Sequence, residues 1–157
     1  MTARGDGLIE AIGRELEQSA AVKRELKQQA PVVAAMAKVW ADALRRGNKI
    51  VFFGNGGSAA DAQHLAGELM GRFSYDRKPL SATALSADTA VITAIGNDYG
   101  YEFIFARQVQ GLVRSGDVVV AISTSGQSQN VLVALEVARQ LGATTVAFTG
   151  NQNGLQD

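Results

Sequence analysis

The 157-residue sequence lacks several features, and each absence narrows its chemistry. It has no cysteine, which excludes disulfides and thiolate metal sites and is compatible with a reducing cytoplasm. Neither sign of charge is in excess, since 15 basic side chains balance 15 acidic ones. The sequence therefore has no electrostatic footprint for nucleic acid or an anionic membrane surface. We expect the partner to be a small molecule or another protein.

Long hydrophobic runs are also absent. The N-terminus, "MTARGDGLIEAIGRELEQ", alternates charged with apolar residues, so it is neither a signal peptide nor a membrane span. We therefore expect a cytoplasmic protein. The length suits a single domain over residues 1–157, with an N-terminal helical part, 1–47, and an α/β core, 48–157.

Two patterns of apolar residues follow one another along the chain. Apolar residues recur every three or four positions from Leu8 to Leu26 and again after Pro31, as far as Gly47, which predicts two amphipathic helices. Short continuous apolar runs follow: "KIVFF", "SATAL", "DVVVAIS" and "TTVAFTG". Continuous runs are typical of strands buried on both faces. We predict a doubly wound parallel sheet with flanking helices, preceded by two helices.

The first candidate ligand loop is "GNGGS", which follows the first predicted strand and opens a helix. Its three glycines allow backbone N–H groups to approach a ligand without interference from Cβ atoms. Ser58 and Asp61 have the spacing of a capping box. The stretch is therefore either a tight, capped turn or a ligand loop. It has neither the lysine of a Walker loop nor the spacing of a dinucleotide fingerprint.

The second candidate ligand loop, "STSGQSQN", lies between the strand "DVVVAI" and a helix. It brings together four hydroxyls, from Ser123, Thr124, Ser125 and Ser128. Hydroxyls, free backbone donors and the positive end of a helix dipole suit a phosphate monoester without a lysine. The alternative is a loop that only turns, with Ser128 as the N-cap. Two such loops after neighbouring strands favour the phosphate site.

The helix after the glycine loop carries His64 and, four residues on, Glu68, with Asp61 on the same side. The opposite, apolar face consists of Ala62, Leu65, Ala66 and Leu69. Such a pair is usually a weak surface interaction. Beside a phosphate site or a neighbouring subunit, the same two groups can share a Zn²⁺ or divide the roles of a proton transfer. The spacing leaves both interpretations open.

A third stretch, "LSADTAVITAIGNDYGYE", predicts a helix capped by Asp88 and ended by "GND". Asn97 and Asp98 would then lie in a loop. The stretch has an ordinary structural explanation and by itself indicates no function.

Three stretches together resemble the phosphoheptose isomerases of the sugar isomerase (SIS) domain superfamily: "GNGGSAADAQHLAGELMGRF", "ITAIGNDYGYE" and "GDVVVAISTSGQSQNVLVALEVARQLG". The resemblance runs from about Gly47 to Gly150, and the two N-terminal helices also suit the family. It implies a SIS-type fold and conversion of sedoheptulose 7-phosphate to D-glycero-D-manno-heptose 7-phosphate, the first committed step toward the heptose of bacterial lipopolysaccharide core or related glycans. It also implies a homotetramer with active sites between subunits.

The resemblance also implies roles for individual residues. Glu68 matches the family's catalytic glutamate, which binds substrate and moves a proton between C1 and C2 through an enediol. His64 and Glu68 match two ligands of the zinc that some members hold. Asn97 and Asp98 match contacts to the sugar hydroxyls, and Arg72 an arginine near the substrate. The residues matched to the sugar phosphate are Asn55, Gly56, Gly57 and Ser58, joined at the phosphate by Ser123, Thr124, Ser125 and Ser128.

The sequence departs from the family pattern at its end. The chain stops at "TGNQNGLQD", directly after the fourth predicted strand. In the family, a further strand and a final helix supply a glutamine and a second histidine, which completes the zinc site and acts as the acid/base partner. His64 is the only histidine here. We expect either that a C-terminal strand and helix are missing from this sequence or that the protein lacks half of the catalytic pair.

Two alternatives come from other functional classes. A non-catalytic SIS regulator, such as the replication-initiator-associating proteins, keeps the tetramer and much of the loop chemistry but binds a protein. Those relatives lack the glutamate of the H-x-x-x-E pair, so Glu68 favours the enzyme. A sugar-phosphate-sensing SIS module would keep the hydroxyl loop and need neither His64 nor Glu68.

Overall fold

The computed structural model of the protein describes residues 3–150, with side chains from residue 7 onward. The chain forms two compact units, one that ends at Lys38 and one that begins at Val39. The single domain expected over residues 1–157 stays a prediction. No helix within the described range is long and apolar enough to cross a membrane. The expectation about the C-terminal strand and helix concerns sequence outside that range.

Two helices begin the chain, as predicted. Helix α1 spans Ala3–Leu26, a 3₁₀ turn spans Lys27–Gln29, and α2 spans Ala30–Arg45. Pro31 lies in the first turn of α2, where its missing N–H breaks no intrahelical hydrogen bond. Gly47 follows with φ of 83°, a left-handed conformation that an L side chain rarely adopts.

The apolar stripe of α1 is exposed. Six of its side chains each have more than half of their surface accessible: Leu8, Ile9, Ile12, Leu16, Val22 and Leu26. Val32 and Val33, at the start of α2, are exposed as well. Contiguous exposed apolar surface is typical of an interaction surface.

The unit that begins at Val39 is built on a four-stranded parallel sheet with the order β2-β1-β3-β4. The strands are β1 (Ile50–Gly54), β2 (Ala82–Ala84), β3 (Val118–Ser123) and β4 (Thr144–Thr149). The chain runs from β1 to β2 on one side and returns to β3 on the other. This reversal makes the crevice between the carboxyl ends of β1 and β3 the ligand position expected for an open α/β sheet. The predicted doubly wound class is confirmed.

Four helices and a short turn complete this unit: α3 (Gly57–Met70), α4 (Thr89–Tyr99), a 3₁₀ turn (Tyr101–Phe103), α5 (Ala106–Leu112) and α6 (Gln129–Gln140). Successive residues of β1 point to opposite faces of the sheet. Val51 and Phe53 pack in one core with α5 and α6, and Ile50 and Phe52 pack in another with α3 and Ala43 of α2. Both central strands are therefore covered on both faces, which explains their continuous apolar sequences.

The predicted start of α4 is correct, and its predicted end is wrong. Asp88 caps the helix, since its Oδ1 accepts a hydrogen bond of 3.0 Å from the backbone N–H of Val91. The helix continues through Asn97 and Asp98, which the sequence placed in a loop. The glycine with a left-handed φ, 100°, is Gly100 rather than the glycine of "GND", so the helix ends one turn later than predicted.

A buried ion pair joins β1 to β3 at their amino ends. Asp117 is 1% exposed, and its carboxylate pairs with the ammonium of Lys49. It also accepts hydrogen bonds from the backbone N–H groups of Lys49 and Arg114, at 3.1 and 2.8 Å, and from the side chain of Asn48. Burial raises the pKa of Asp117, but the bonds from Lys49 and Arg114 outweigh that effect, and the pKa is lowered overall from 3.8.

Candidate active site

The glycine loop begins where β1 runs very close to β3. A Cβ on Gly54 would lie 2.6 Å from the backbone oxygen of Ile122 and 2.7 Å from the Cβ of Ser58, so only glycine fits there. Gly56 has φ of 56°, and a Cβ on Gly56 or Gly57 would meet no atom within 4 Å. The loop therefore turns tightly into α3 and faces open space.

The predicted capping box is wrong. The N-cap of α3 is Gly56, and no side chain caps the helix. The left-handed Gly56 starts the helix before Ser58, so Ser58 lies inside the first turn. Its backbone N–H donates to the carbonyl of Asn55 at 3.0 Å. The Ser58 hydroxyl is consequently not used as a cap.

The hydroxyl loop follows β3 and enters α6. Ser123 is 4% exposed, and its Oγ lies 3.4 Å from the Oγ of Ser128. Ser128 is the N-cap residue of α6, but its side chain makes no capping hydrogen bond. The Oγ of Ser125 accepts from the backbone N–H of Gln127 at 3.2 Å, and Thr124 is exposed. Hydroxyls that converge on a helix N-terminus without capping it suit an anion.

A pair of amides joins the two loops. The Nδ2 of Asn55 donates to the Oδ1 of Asn130 at 2.9 Å, and the Nδ2 of Asn130 donates back to the Oδ1 of Asn55 at 3.0 Å. The hydroxyl of Tyr101 donates to the same Oδ1 of Asn55 at 3.2 Å. Asn55 and Ser128 border one cavity of about 620 Å³. The two predicted ligand loops are therefore parts of one site.

Asn130 and Tyr101 were missed by the sequence interpretation. Asn130 lies within the quoted loop "STSGQSQN", and an amide in the first turn of a helix that follows a ligand loop was the available signal. Tyr101 lies two residues after the end of α4, and its hydroxyl bond to Asn55 links the end of that helix to the glycine loop. Asn97 and Asp98 lie in the last turn of α4, both exposed, with the Nδ2 of Asn97 2.8 Å from the Oδ1 of Asp98.

The His64/Glu68 pair forms as predicted on the polar face of α3. The Nε2 of His64 lies 3.2 Å from the Oε1 of Glu68. On the opposite face Ala62 and Ala66 are buried. The guanidinium of Arg77 donates to the backbone carbonyl of Glu68 at 2.7 Å and so anchors the end of the helix that carries the pair.

Two clefts border this pair. One, of about 480 Å³, is also lined by Arg72 and Phe73, and the other, of about 730 Å³, is largely apolar. Phe73 has φ of 38°, a strained conformation for a large side chain, and such strain clusters at functional sites. Both volumes are within the range of small-molecule sites.

Within one chain, the His64/Glu68 pair and the two loops are separate. Neither cleft beside the pair is lined by a residue of either loop, and the cavity at Asn55 is lined by neither His64 nor Glu68. Glu68 lies eleven positions after Gly57 on α3, a rise of about 16 Å along the helix.

His64 and Glu68 supply one nitrogen and one oxygen donor, which are of the types that Zn²⁺ binds. Among the described residues, no group of three or more His, Cys, Asp or Glu side chains could hold a metal ion. The pair would therefore provide two ligands, and a zinc site needs at least one more protein ligand from elsewhere.

Comparison with known proteins assigns the chain to a family. The model of the SIS domain family matches residues 16–150. The chain belongs to the SIS domain family. The phosphoheptose isomerase of Aquifex aeolicus is 51% identical over 148 residues, which cover 94% of this chain and 78% of that protein. That of Akkermansia muciniphila is 50% identical over 131 residues, which cover 83% of this chain and 69% of the relative.

Solved structures of phosphoheptose isomerases have the same fold as this chain. The phosphoheptose isomerase of Francisella tularensis superposes with a TM-score of 0.90 at 39% identity and covers 94% of this chain and 78% of its own. That of Neisseria gonorrhoeae gives a TM-score of 0.87 at 40% identity, with coverages of 94% and 77%. Within the SIS family, the chain therefore belongs to the phosphoheptose isomerases, and its class is that of isomerase enzymes.

Proposed function

We propose that this protein is an aldose–ketose isomerase that converts sedoheptulose 7-phosphate to D-glycero-D-manno-heptose 7-phosphate. The product would supply the heptose of bacterial lipopolysaccharide core or a related glycan, and the reaction would take place in the cytoplasm. The observation that carries the proposal is the convergence of the Ser123 and Ser128 hydroxyls on the N-terminus of α6, in a chain about half identical to phosphoheptose isomerases. The balanced charge of the chain favours neither nucleic acid nor a membrane as a partner.

The phosphate would bind at the hydroxyl loop, with Ser123, Thr124, Ser125 and Ser128 as donors. The helix dipole of α6 supports a negative charge at this position, and the sheet crevice between β1 and β3 opens there. The sugar would extend past the glycine loop, where Asn55, Gly56, Gly57 and Ser58 lie. Asn97 and Asp98, one turn before Tyr101, would contact the sugar hydroxyls.

Glu68 would act as the base. In the forward direction its carboxylate removes a proton from C1 of the ketose while the carbonyl oxygen on C2 gains one, which gives the enediol. Return of a proton to C2, with loss of the proton on O1, gives the aldehyde at C1. Glu68 is half-buried and borders two clefts, so it is accessible to a substrate.

A zinc ion would be held in part by His64 and Glu68. When bound, such an ion acts as a Lewis acid that polarises a carbonyl oxygen. The chain's own contribution is to orient these two side chains on one face of α3, with Arg77 fixing the backbone of Glu68. Arg72, which lines the smaller cleft, would place a positive charge near the substrate.

The complete site would form between the subunits of a homotetramer. The His64/Glu68 pair and the loops of one chain line separate cavities, and in a tetramer the pair of one copy would lie against the loops of another. The exposed apolar stripe of α1 is a surface that such an assembly would cover. Light scattering should report four copies per particle, and a monomer at micromolar concentration would contradict this assembly.

The reaction itself is tested with the protein expressed from the whole natural reading frame. Sedoheptulose 7-phosphate is incubated with the protein, and the aldose is detected by proton NMR. Crystals soaked with the substrate should show its phosphate within hydrogen-bond distance of Ser123, Ser125 or Ser128. Absence of conversion, or a phosphate bound elsewhere, would overturn the proposal.

A further inference from the structure

Asn130 is a buried polar side chain for which no role follows from the family resemblance. It is 4% exposed and lies in the first turn of α6, two residues after Ser128. A buried amide must be hydrogen-bonded, because an unpaired one costs stability. Its partner is Asn55, 75 residues away in the sequence, on the loop after β1.

The hydrogen bonds of Asn55 can be counted. Its Oδ1 accepts from Asn130 and from Tyr101, which occupies both lone pairs. Its Nδ2 gives one hydrogen to Asn130. An amide nitrogen has two hydrogens, so a single N–H remains for a ligand. Asn55 can therefore donate one hydrogen bond and accept none.

We propose that Asn130 is a positioning residue that locks the amide of Asn55 as a donor toward an acceptor oxygen of the ligand. Asn55 borders the cavity that also contains Ser128, so its free N–H is adjacent to the predicted phosphate site. An acceptor oxygen here is a phosphate, carbonyl or hydroxyl oxygen. This inference rests on the proposed sugar-phosphate ligand and adds a recognition rule to it: the ligand presents an oxygen lone pair, not a hydroxyl proton, to Asn55.

The locking depends on the amide pair and on Tyr101 together. An asparagine side chain held by one hydrogen bond can rotate about χ2, whereas two opposed bonds with a second amide fix its plane. The hydroxyl of Tyr101, which donates to the Oδ1 of Asn55, fixes which end is the oxygen and which is the donor. The backbone beneath is already fixed by the close approach of Gly54 to Ile122, so the amide pair sets the side chain rather than the loop.

A double-mutant cycle on the full natural chain tests the proposal. Calorimetry measures the Kd of sedoheptulose 7-phosphate for the wild type, Asn55→Ala, Asn130→Ala and the double variant. Asn130→Ala should weaken binding about tenfold, the effect of one or two hydrogen bonds. In the Asn55→Ala background the same change should cost less than about twofold, because a positioning residue has nothing left to position. Equal losses in both backgrounds would overturn the proposal.

Two further variants separate positioning from packing. Asn130→Leu keeps nearly the shape of the side chain but cannot hydrogen-bond to Asn55, so it should weaken binding about as much as Asn130→Ala; wild-type affinity would overturn the proposal. It also serves if Asn130→Ala does not fold. Gln140→Ala, an exposed amide in the last turn of α6 that does not line the cavity, is the matched control and should bind like the wild type. A loss there equal to that of Asn130→Ala would overturn the proposal, because removal of any amide from α6 would then have the same effect.

An NMR measurement without ligand tests the positioning of Asn55 separately from the proposed function. The side-chain NH₂ signals of Asn55 in a ¹H–¹⁵N spectrum are assigned by their loss in Asn55→Ala. In the wild type they should be dispersed, and in Asn130→Ala they should move to values typical of solvent-exposed asparagine. If sedoheptulose 7-phosphate does not bind the wild type, the proposed function fails, and these signals still decide on positioning. Unchanged Asn55 signals in Asn130→Ala would overturn it.

Discussion

The two ends of the same parallel strands handle polar groups in opposite ways. At the amino end, the carboxylate of Asp117 is nearly inaccessible and accepts four hydrogen bonds, from both nitrogens of Lys49, from Arg114 and from Asn48. Nothing is left there for a ligand. A buried charge of this kind is tolerated only when it is fully paired.

At the carboxyl end, polar groups keep unused hydrogen-bonding capacity. Ser128 occupies an N-cap position without capping, and Ser123 has only the distant hydroxyl of Ser128 as a side-chain partner among the described residues. Asn55 retains one N–H. The two ends therefore differ in what they leave free. The amino end is saturated and stabilises the fold, and the carboxyl end keeps free donors and acceptors at the edge where open α/β sheets bind ligands.

Glu68→Gln should produce the largest effect, and it tests the His64/Glu68 pair, which lies away from both ends' hydrogen-bonded groups. The amide keeps the size of the side chain but cannot accept a proton. Turnover of sedoheptulose 7-phosphate should therefore fall by roughly 10²- to 10⁴-fold, the typical loss for a general base, while the melting temperature barely changes. Steady-state kinetics and a thermal unfolding curve measure the two quantities on the same preparation.

The matched control is Glu136→Gln, the same change of acid to amide at an exposed position of α6 that borders none of the three cavities described. It should leave turnover unchanged within a factor of two or so. Turnover of Glu68→Gln within a few-fold of wild type would remove Glu68 from the mechanism and favour a regulator or a sensor of sugar phosphates.

How much of the structure could be predicted from the sequence depended on whether neighbouring residues determine each feature. Local patterns predicted both N-terminal helices, the four strands and the cap at Asp88, because each of these depends on neighbouring residues. The continuous apolar runs of the strands also predicted that the sheet is parallel. The end of α4 did not, since two glycines competed and only the backbone angle of Gly100 decided between them. The capping box at Ser58 failed for the same reason, because Gly56 starts α3.

Long-range pairing was beyond sequence reasoning. Asn55 and Asn130 meet only because β1 and β3 pair in a register that places Gly54 opposite Ile122. The separation of His64 and Glu68 from the two loops is likewise a property of the folded chain, set by the length of α3. The roles of the individual site residues stay predictions, and the experiments at Glu68 and Ser128 test two of them.

At the amino end of the strands, Asp117→Asn should lower stability more than Ser128→Ala does at the carboxyl end. The change leaves Lys49 without its counter-ion, and the free energy of unfolding at neutral pH should fall by about 1–3 kcal/mol. Urea unfolding measures this loss, and turnover per folded molecule should stay near wild type. A large loss of turnover without a loss of stability would show that the amino end is not merely structural.

The pH dependence of unfolding sharpens the same test. The pKa of Asp117 in the folded protein is lowered from 3.8, so its stabilising contribution is fully present above that value and is lost as the pH falls toward the folded pKa. Wild type should therefore lose stability in acid more steeply than Asp117→Asn, which has no carboxylate to protonate there. Parallel curves for the two proteins would contradict this role.

Ser128→Ala should give the smallest effect, and it falls on binding rather than on folding. The Ser128 hydroxyl makes no capping bond, so its removal should change the free energy of unfolding by less than about 0.5 kcal/mol, unlike the loss of roughly 1 kcal/mol for a true N-cap. The affinity for inorganic phosphate, measured by calorimetry, should fall about tenfold, as for one hydrogen bond to a charged ligand. Ser81→Ala, at an exposed position before β2, is the control and should change neither quantity. A clear loss of stability in Ser128→Ala with unchanged phosphate affinity would make this serine a cap after all and would remove it from the proposed phosphate site.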